Sequence, residues 1–365
     1  MVTLLKRQDW FLNAAILFLA AASLVILSSI NRSLFWQQLI WFAIGFSVIV
    51  FFARIDWRPL TSYKWVIFGV YIFSLVLLLT TYLFAPVIRN TRSWLVAGPV
   101  QIQTSEIAKI ALIILLAYFF ARHHVGIARW NILLKSFLYF VIPTLLILIQ
   151  PDLGSALILF SIWLGLLLVS GIRWRHLFIG FVILSLLFGF GWKFLLKDYQ
   201  KNRITAFLNP SYSPLDINYN VIQSKIAVGS AGFFGKGYGQ GTQSQLRFLP
   251  EAETDFVFSA FVEEWGGLGG LLVIGAFVFL LLRIIKIGIQ CHDNFSKLIC
   301  LGTVIMFLAQ FTINIGSALG LLPVVGVTLP FLSYGGSSIL TNAILVGVIQ
   351  STVVRSSFLR RVIEQ

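Results

Sequence analysis

The sequence is poor in charge: of 365 residues only 11% are Asp, Glu, Lys or Arg, while 58% are hydrophobic. Soluble domains carry about 25% charged residues, so an ordinary water-soluble core is excluded. Cysteine is scarce as well. Cys291 and Cys300, both near one short connection, offer no disulfide framework and suggest no redox chemistry. A nucleotide-binding signature is also lacking. Gly235, Gly237, Gly239 and Gly241 invite comparison with a phosphate loop, but Gly229 stands one residue too far from Gly235 and Gly237 falls where Ser or Thr belongs. The run predicts a flexible or tightly turned backbone instead. His123 and His124 have no carboxylates nearby in sequence, which argues against a metal site there.

What the chain has in abundance is apolar runs long enough to cross about 30 Å of hydrocarbon, a distance that takes roughly 20 helical residues. Ten can be read, with cores at 10–30, 36–53, 65–86, 105–121, 133–149, 153–171, 176–196, 255–282, 297–319 and 337–354. The runs are continuous rather than alternating, which selects helices over a barrel. The first is too long for a secretory signal, lacks a small-residue cleavage site and is followed at once by another span, so it reads as an uncleaved helix. The expected fold is therefore an all-α polytopic membrane protein of about ten transmembrane helices, one membrane domain over residues 1–365.

Lys and Arg set the orientation, because cytoplasmic loops are enriched in them. Placing the N-terminus inside puts most of them there, from Lys6 and Arg7 to Arg360 and Arg361, and leaves Arg32, Arg89 and Arg92 on short outer loops. Both termini are then cytoplasmic. The net charge of +14 needs no nucleic acid to explain it; anionic membrane lipid is the expected partner.

Residues 197–254, between the seventh and eighth spans, form a large extracellular loop in this topology. Phe207, Tyr212, Tyr219, Phe233, Phe234, Tyr238 and Phe248 predict that it packs, and long loops in compact domains are usually functional or disordered. It also holds Lys201, Arg203, Lys225, Lys236 and Arg247, cations on the side that normally lacks them. A phosphate-bearing ligand accounts for them, and so does a solvated loop surface.

Ionisable groups in or beside spans cost about 2.5 to 3.5 kcal/mol each on insertion scales, so their positions are informative. Glu106 and Lys109, three apart at the end of the fourth span, share a helix face and are expected to pair, either as a structural ion pair or in a direct catalytic role. Asp152 falls in the turn between spans five and six. Asp255 opens the eighth span, which continues through Ser259, Glu263 and Glu264. At about 100° per residue Glu263 is about 80° from Asp255, so the two can line one cavity, with Glu263 about 12 Å deeper along a straight helix. As an alternative, Asp255 is simply a helix N-cap.

Several segments are recognisable as words: Arg92-Ser93-Trp94 with Gly98-Pro99, Gln103 through Lys109, Gln150-Pro151-Asp152-Leu153-Gly154, Tyr219 with Gln223-Ser224, Leu249-Pro250-Glu251 through Thr254-Asp255-Phe256, Glu263-Glu264-Trp265-Gly266, and Leu329 through Ser338. In these the chain resembles the SEDS family, whose members include RodA, FtsW and SpoVE, polymerases of bacterial cell-wall glycan. The short termini, Asp9-Trp10 and Leu322-Pro323-Val324 are more similar to RodA than to FtsW. Departures are Thr104 where the family usually has Pro, Thr91 and Ser93 around an Arg-Trp pair, and Glu253 before Thr-Asp-Phe.

The resemblance implies a peptidoglycan glycosyltransferase of the bacterial cytoplasmic membrane that polymerises lipid II and releases undecaprenyl pyrophosphate. It assigns Asp255 as general base, and Arg92, Lys109, Lys201, Arg203, Lys225 and Lys236 to the pyrophosphate. Glu106 would position Lys109, while Asp152, Gln223, Ser259 and Glu263 support or line the cavity. A divalent cation, Mg2+ or Mn2+, could be shared by Asp255 and the pyrophosphate, although the sequence gives no closed ligand set. The implied partner is a class B penicillin-binding transpeptidase. Two other classes stand beside the enzyme: a flippase of lipid-linked sugar, and a non-catalytic membrane scaffold. A flippase should distribute its charges across the midplane, and a scaffold leaves the rim carboxylates unexplained.

Overall fold

The computed structural model describes residues 8–57, 59, 63–86, 91–97, 100–123, 129–194, 201, 205, 207 and 218–363. Ten long helices take the places of the ten expected spans: α1 (Trp10–Ile30), α2 (Arg32–Arg54), α3 (Lys64–Phe84), α4 (Thr104–Arg122), α5 (Trp130–Ile149), α6 (Leu153–Val169), α7 (Trp174–Phe194), α10 (Val257–Gln290), α11 (Asn294–Ala318) and α12 (Gly336–Ile363). Eight of them are long and apolar enough to cross a membrane, and α6 is apolar but has only 17 residues. Two shorter helices, α8 (Tyr219–Ser230) and α9 (Thr242–Gln245), lie between α7 and α10.

The helix ends are set by local chemistry. Asp9 caps α1 by accepting the Leu12 N–H, and its carboxylate also meets Arg283 at 2.6 Å, so the start of the bundle is tied to α10. Asn31 closes one helix and opens the next: its N–H bonds the Leu27 carbonyl, while its side chain accepts from Ser33 and Leu34 of α2. That single residue makes the first turn. The sequence did not foretell an antiparallel hairpin, β1 (Trp94–Ala97) with β2 (Val100–Gln103), whose register pairs Trp94 with Gln103. Its Gly98-Pro99 turn lies outside the described residues.

At the centre stands α4, whose apolar stretch is 83% buried against 22% for α2. Large apolar side chains such as Phe51, Trp65, Phe73, Leu271 and Ile289 point outward from other helices. Such a surface suits lipid, because hydrocarbon solvates it as well as a protein core would.

The largest departure from a simple bundle is in α10. Gly266 has φ 73° and ψ −177°, and the helix is broken there. A Cβ on Gly270 would lie 2.8 Å from Val262 and 3.5 Å from the Phe258 ring, residues that a straight helix would hold about 12 and 18 Å away. The chain therefore folds back on itself. Residues 257–265 run toward the end of the bundle that carries α8 and α9, the loop end, and 267–290 return toward the termini. Neighbouring contacts with α11 agree: Asp255 meets Asn314, and Ser259 reaches Ser224, which bonds Ala318, while Phe277 stacks on Phe311 further along the return.

Such a break leaves backbone groups without helical partners, and where they are buried they must find others within the protein. Residues 232–237 supply them. Lys236 and Gly237 N–H groups donate to the Glu263 and Glu264 carbonyls at 3.0 Å each, and the Gly267 and Leu268 N–H groups donate to Gly232 and Phe233 at 3.0 and 3.1 Å. The glycine run is thus a splint for the broken helix, not a phosphate loop.

This assigns different costs to neighbouring glycines. Gly235 has φ 83° and a Cβ there would sit 2.1 Å from the Glu264 carbonyl oxygen, whereas Gly239, φ 71°, would meet nothing within 4 Å. Gly239→Ala should lower stability by about 1 to 2 kcal/mol, the strain of a left-handed alanine. Gly235→Ala should cost more and collapse folded yield. Thermal unfolding in detergent checks the difference, and equal midpoints for the two variants would contradict the splint.

Candidate active site

Three consecutive carbonyls ahead of α10 are gripped by two separate elements. Glu253 accepts from the Tyr334 N–H at 2.9 Å, Thr254 from the Ser333 hydroxyl at 2.6 Å, and Asp255 from the Asn314 amide at 3.0 Å. Tyr334 and Ser333 belong to the loop before α12, and Asn314 to α11. Asn314 also donates to Val327 at 2.7 Å, which fixes that loop against the same point. With its backbone held from two sides, half-buried Asp255 has a fixed direction; a Cβ on Gly326 would lie 3.9 Å from its Oδ2.

Asp255 is not an N-cap. That position is Phe256, and no side chain caps it. Nor does Glu263 lie deeper on a shared face. Because 257–265 run outward, Asp255 is the inner residue and Glu263 the outer one, so the order expected from a straight span is reversed. Glu263 is fully buried and accepts from Gln243 and Ser244 N–H groups, from the Thr242 and Ser244 hydroxyls, and from Lys236 at 2.8 Å. Its carboxylate anchors the splint loop. Lys236 is thus engaged by Glu263 and by the Thr242 hydroxyl.

The Glu106–Lys109 pair forms as its spacing predicts, with Nζ to Oε1 at 2.5 Å and both residues buried. Glu106 sits in the first turn of α4, where a negative charge suits the helix dipole. Lys109 is thus buried and paired with Glu106. Asp152 is the N-cap of α6, accepting from the Ser155 N–H and hydroxyl, from Gln103 at 3.1 Å and from Ser105 at 3.2 Å. It therefore joins α6 to α4.

The Asp152 cap and the Asp255 grip touch the same stretch of chain. A Cβ on Gly154 would be 2.4 Å from the Val325 carbonyl, so the loop before α12 crosses the first turn of α6 as closely as backbone allows. Two residues on, Val327 meets Asn314. Ser259 and Ser224 share a 2.7 Å hydrogen bond, and Ser224 bonds the Ala318 carbonyl, which ties 257–265 to α8 and α11.

Of the remaining expected residues, Arg92 and Lys225 are exposed at the loop end and Gln223 is half-buried on α8. A Cβ on Gly320 would be 2.5 Å from Lys225 Nζ, so this ammonium lies over the C-terminal end of α11, where a cation is favoured. Lys201 is half-buried, and Arg203 lies outside the described residues. Asn314 and Ser333 do structural work at Asp255 that sequence reasoning missed. The signal for Asn314 was an amide flanked by Ile313 and Ile315 within an apolar span.

A family model described as "Cell cycle protein", covering FtsW, RodA and SpoVE, matches residues 5–357. The chain belongs to this family. A curated relative, the peptidoglycan glycosyltransferase MrdB of Escherichia coli strain K12, is 37% identical over 309 residues, spanning 85% of this chain and 82% of that protein. A chain from a solved peptidoglycan synthase complex, studied for how polymerization and crosslinking are coordinated, has a TM-score of 0.83 at 32% identity, covering 95% of this chain and 98% of its own. The crystal structure of the rod shape determining protein RodA of Thermus thermophilus gives 0.70 at 27% identity, covering 95% and 96%.

Removing one member of a buried ion pair strands the other, at a cost of about 3 to 5 kcal/mol. Glu106→Ala and Lys109→Ala should each lower the thermal midpoint and the yield of folded protein, and the charge-swapped double variant should recover part of the loss. Two single variants as stable as wild type would mean that the pair carries no structural load.

Proposed function

We infer that this chain is a peptidoglycan glycosyltransferase of the RodA kind, acting in cell-wall elongation and the maintenance of cell shape. Its similarity to MrdB over 85% of the chain supports the activity, and the three-carbonyl grip on residues 253–255 is the observation that carries the assignment of the reacting group. The substrate is lipid II, whose polyprenyl tail needs a lipid-facing bundle and whose pyrophosphate needs cations.

In the reaction the acceptor sugar hydroxyl forms a bond to the anomeric carbon of the donor. The bond from that carbon to the pyrophosphate oxygen breaks, Asp255 takes the hydroxyl proton, and undecaprenyl pyrophosphate leaves. Asp255 is assigned this role because its backbone is gripped from two sides while its side chain stays half-buried rather than enclosed. Arg92 and Lys225 are assigned to the departing pyrophosphate, where positive charge counts most as the bond opens. Among the described residues no three His, Cys, Asp or Glu come together as a metal cage. Asp255 is the residue that would hold a Mg2+ or Mn2+ ion, which would supply positive charge to offset the departing pyrophosphate.

The loop end faces outward from the cytoplasmic membrane and both termini face the cytoplasm, in keeping with the distribution of Lys and Arg. A class B penicillin-binding transpeptidase on that outer side crosslinks the product. A reporter fused after Gln365 should behave as cytoplasmic and one inserted at Ser213 as external. An external C-terminal reporter would invert the arrangement.

Asn matches Asp in volume but accepts no proton at working pH. Since Asp255 is not a cap, Asp255→Asn should leave detergent stability near wild type while glycan synthesis from labelled lipid II falls about 10² to 10⁴-fold, the usual worth of a general base. Polymer made at the wild-type rate by the folded variant would remove Asp255 from the mechanism. Transfer of lipid II between leaflets without polymer, by wild-type protein, would make the chain a flippase.

A further inference from the structure

Among the buried side-chain atoms without a hydrogen-bond partner, six lie on three helices: Thr104 Oγ1 and Glu106 Oε2 on α4, Gln310 Oε1 and Nε2 and Asn314 Oδ1 on α11, and Asn342 Oδ1 on α12. None of the five residues is more than 3% exposed. Buried polar groups are almost always satisfied, so such a set calls for an explanation.

The five are not scattered. A Cβ on Gly302 of α11 would touch Ile113 of α4 at 2.9 Å, and the two helices run in opposite directions from that contact. Moving toward the loop end, Gln310 is about 12 Å along α11 and Glu106 about 11 Å along α4, so they stand at one level. Around α11, at about 100° per residue, Gln310 is about 80° from Gly302 and Asn314 about 120°. Gln310 therefore faces the seam between α4 and the flank on which Asn314 grips Asp255. α12 enters the same region: the Ser337 hydroxyl accepts the Gln103 N–H at 3.1 Å just ahead of α4, and Asn342, about 8 Å further in, donates to Ser338, whose hydroxyl meets Thr328 next to Val327.

The chemistry of the set is one-sided. Four of the atoms are carbonyl or carboxylate oxygens that only accept, one is a hydroxyl and one is an amide nitrogen. Lys109 already balances the charge of Glu106. The shortage is thus of O–H donors rather than of positive charge, and water is the donor that fits among groups with 2 to 4 polar partners.

We propose that Gln310 is the centre of an internal hydration site, a short chain of water molecules that links the Glu106–Lys109 pair to Asn314 and through it to the backbone of Asp255. Gln310 is then a positioning residue: its amide both donates to and accepts from these waters, and the waters hold Asn314 in the rotamer that grips Asp255 and Val327. The effect on rate rests on the glycosyltransferase reading above; the hydration does not.

Gln310→Met keeps the length of the side chain and removes both hydrogen-bonding atoms. In the wild-type protein, a structure resolved well enough to show waters should contain at least two within hydrogen-bond distance of Gln310, Glu106 or Asn342. Gln310→Met should lower the thermal midpoint, because the waters lose their central partner, and should reduce kcat for lipid II polymerisation by tenfold or more with KM unchanged. Gln310→Asn, which keeps the amide, should recover part of kcat. A higher midpoint in Gln310→Met means that a dry, unsatisfied amide was removed and overturns the site, as does a seam without water density. A lower midpoint with unchanged kcat overturns the positioning role. Should wild-type protein itself make no polymer, the glycosyltransferase reading fails, and midpoint and density still judge the hydration site.

Discussion

A buried backbone group without a partner costs about 1 to 3 kcal/mol, and the fold-back at Gly266 leaves four of them to be met at once. Everything that brings Asp255 into the bundle depends on those four being met. Two donors from Lys236 and Gly237 and two acceptors from Gly232 and Phe233 do it, and they can approach because neither Gly235 nor Gly266 carries a Cβ. Glu263 then locks the splint from the side chain, collecting Lys236 and the N-terminal groups of α9. The break, the glycine run and the fully buried carboxylate are one device.

That device sorts the carboxylates. Asp152 is spent on capping α6 and on joining it to Gln103 and Ser105, Glu106 on Lys109, and Glu263 on the splint. Glu264 accepts from Ser29 and Gln245, which closes the loop end against α1. At Asp255 it is the main chain that is held, by Asn314, together with its two predecessors. Holding a residue by its backbone constrains where its side chain can point. The same loop that supplies Ser333 and Tyr334 is itself braced by Gln38, which donates to the Ser333 carbonyl and accepts from Gly335.

The ten spans were legible because hydropathy is a property of composition, and composition survives errors of boundary. The Glu106–Lys109 pair was legible because helical spacing i, i+3 is local. The pairing of Glu263 with Lys236 was not, since 27 positions and a chain reversal separate them. The reversal left no mark in the pattern: Gly266 lies in an apolar stretch rich in glycine, and periodicity reports which face a residue occupies but not whether the helix has turned round. That is why the depth order of Asp255 and Glu263 came out inverted. The hairpin at 94–103 was hidden for a different reason, because two four-residue strands lack the length to show alternation. Asn314 and Gln310 escaped because cost was weighed for ionisable groups alone, although an amide in an apolar span carries a similar message.

The reversal also bears on why one carboxylate and not another suits the proposed chemistry. On a straight span beginning at residue 255, Asp255 would stand at the helix mouth, with Glu263 deeper along the same helix. Folded back, it sits beside Asn314, one turn short of the end of α11. Glu263, at the outer tip of the same segment, is denied the role of base by five hydrogen-bond donors that hold it as an anion. The direction of nine residues of chain, set by one glycine, therefore decides which acid can act as a base.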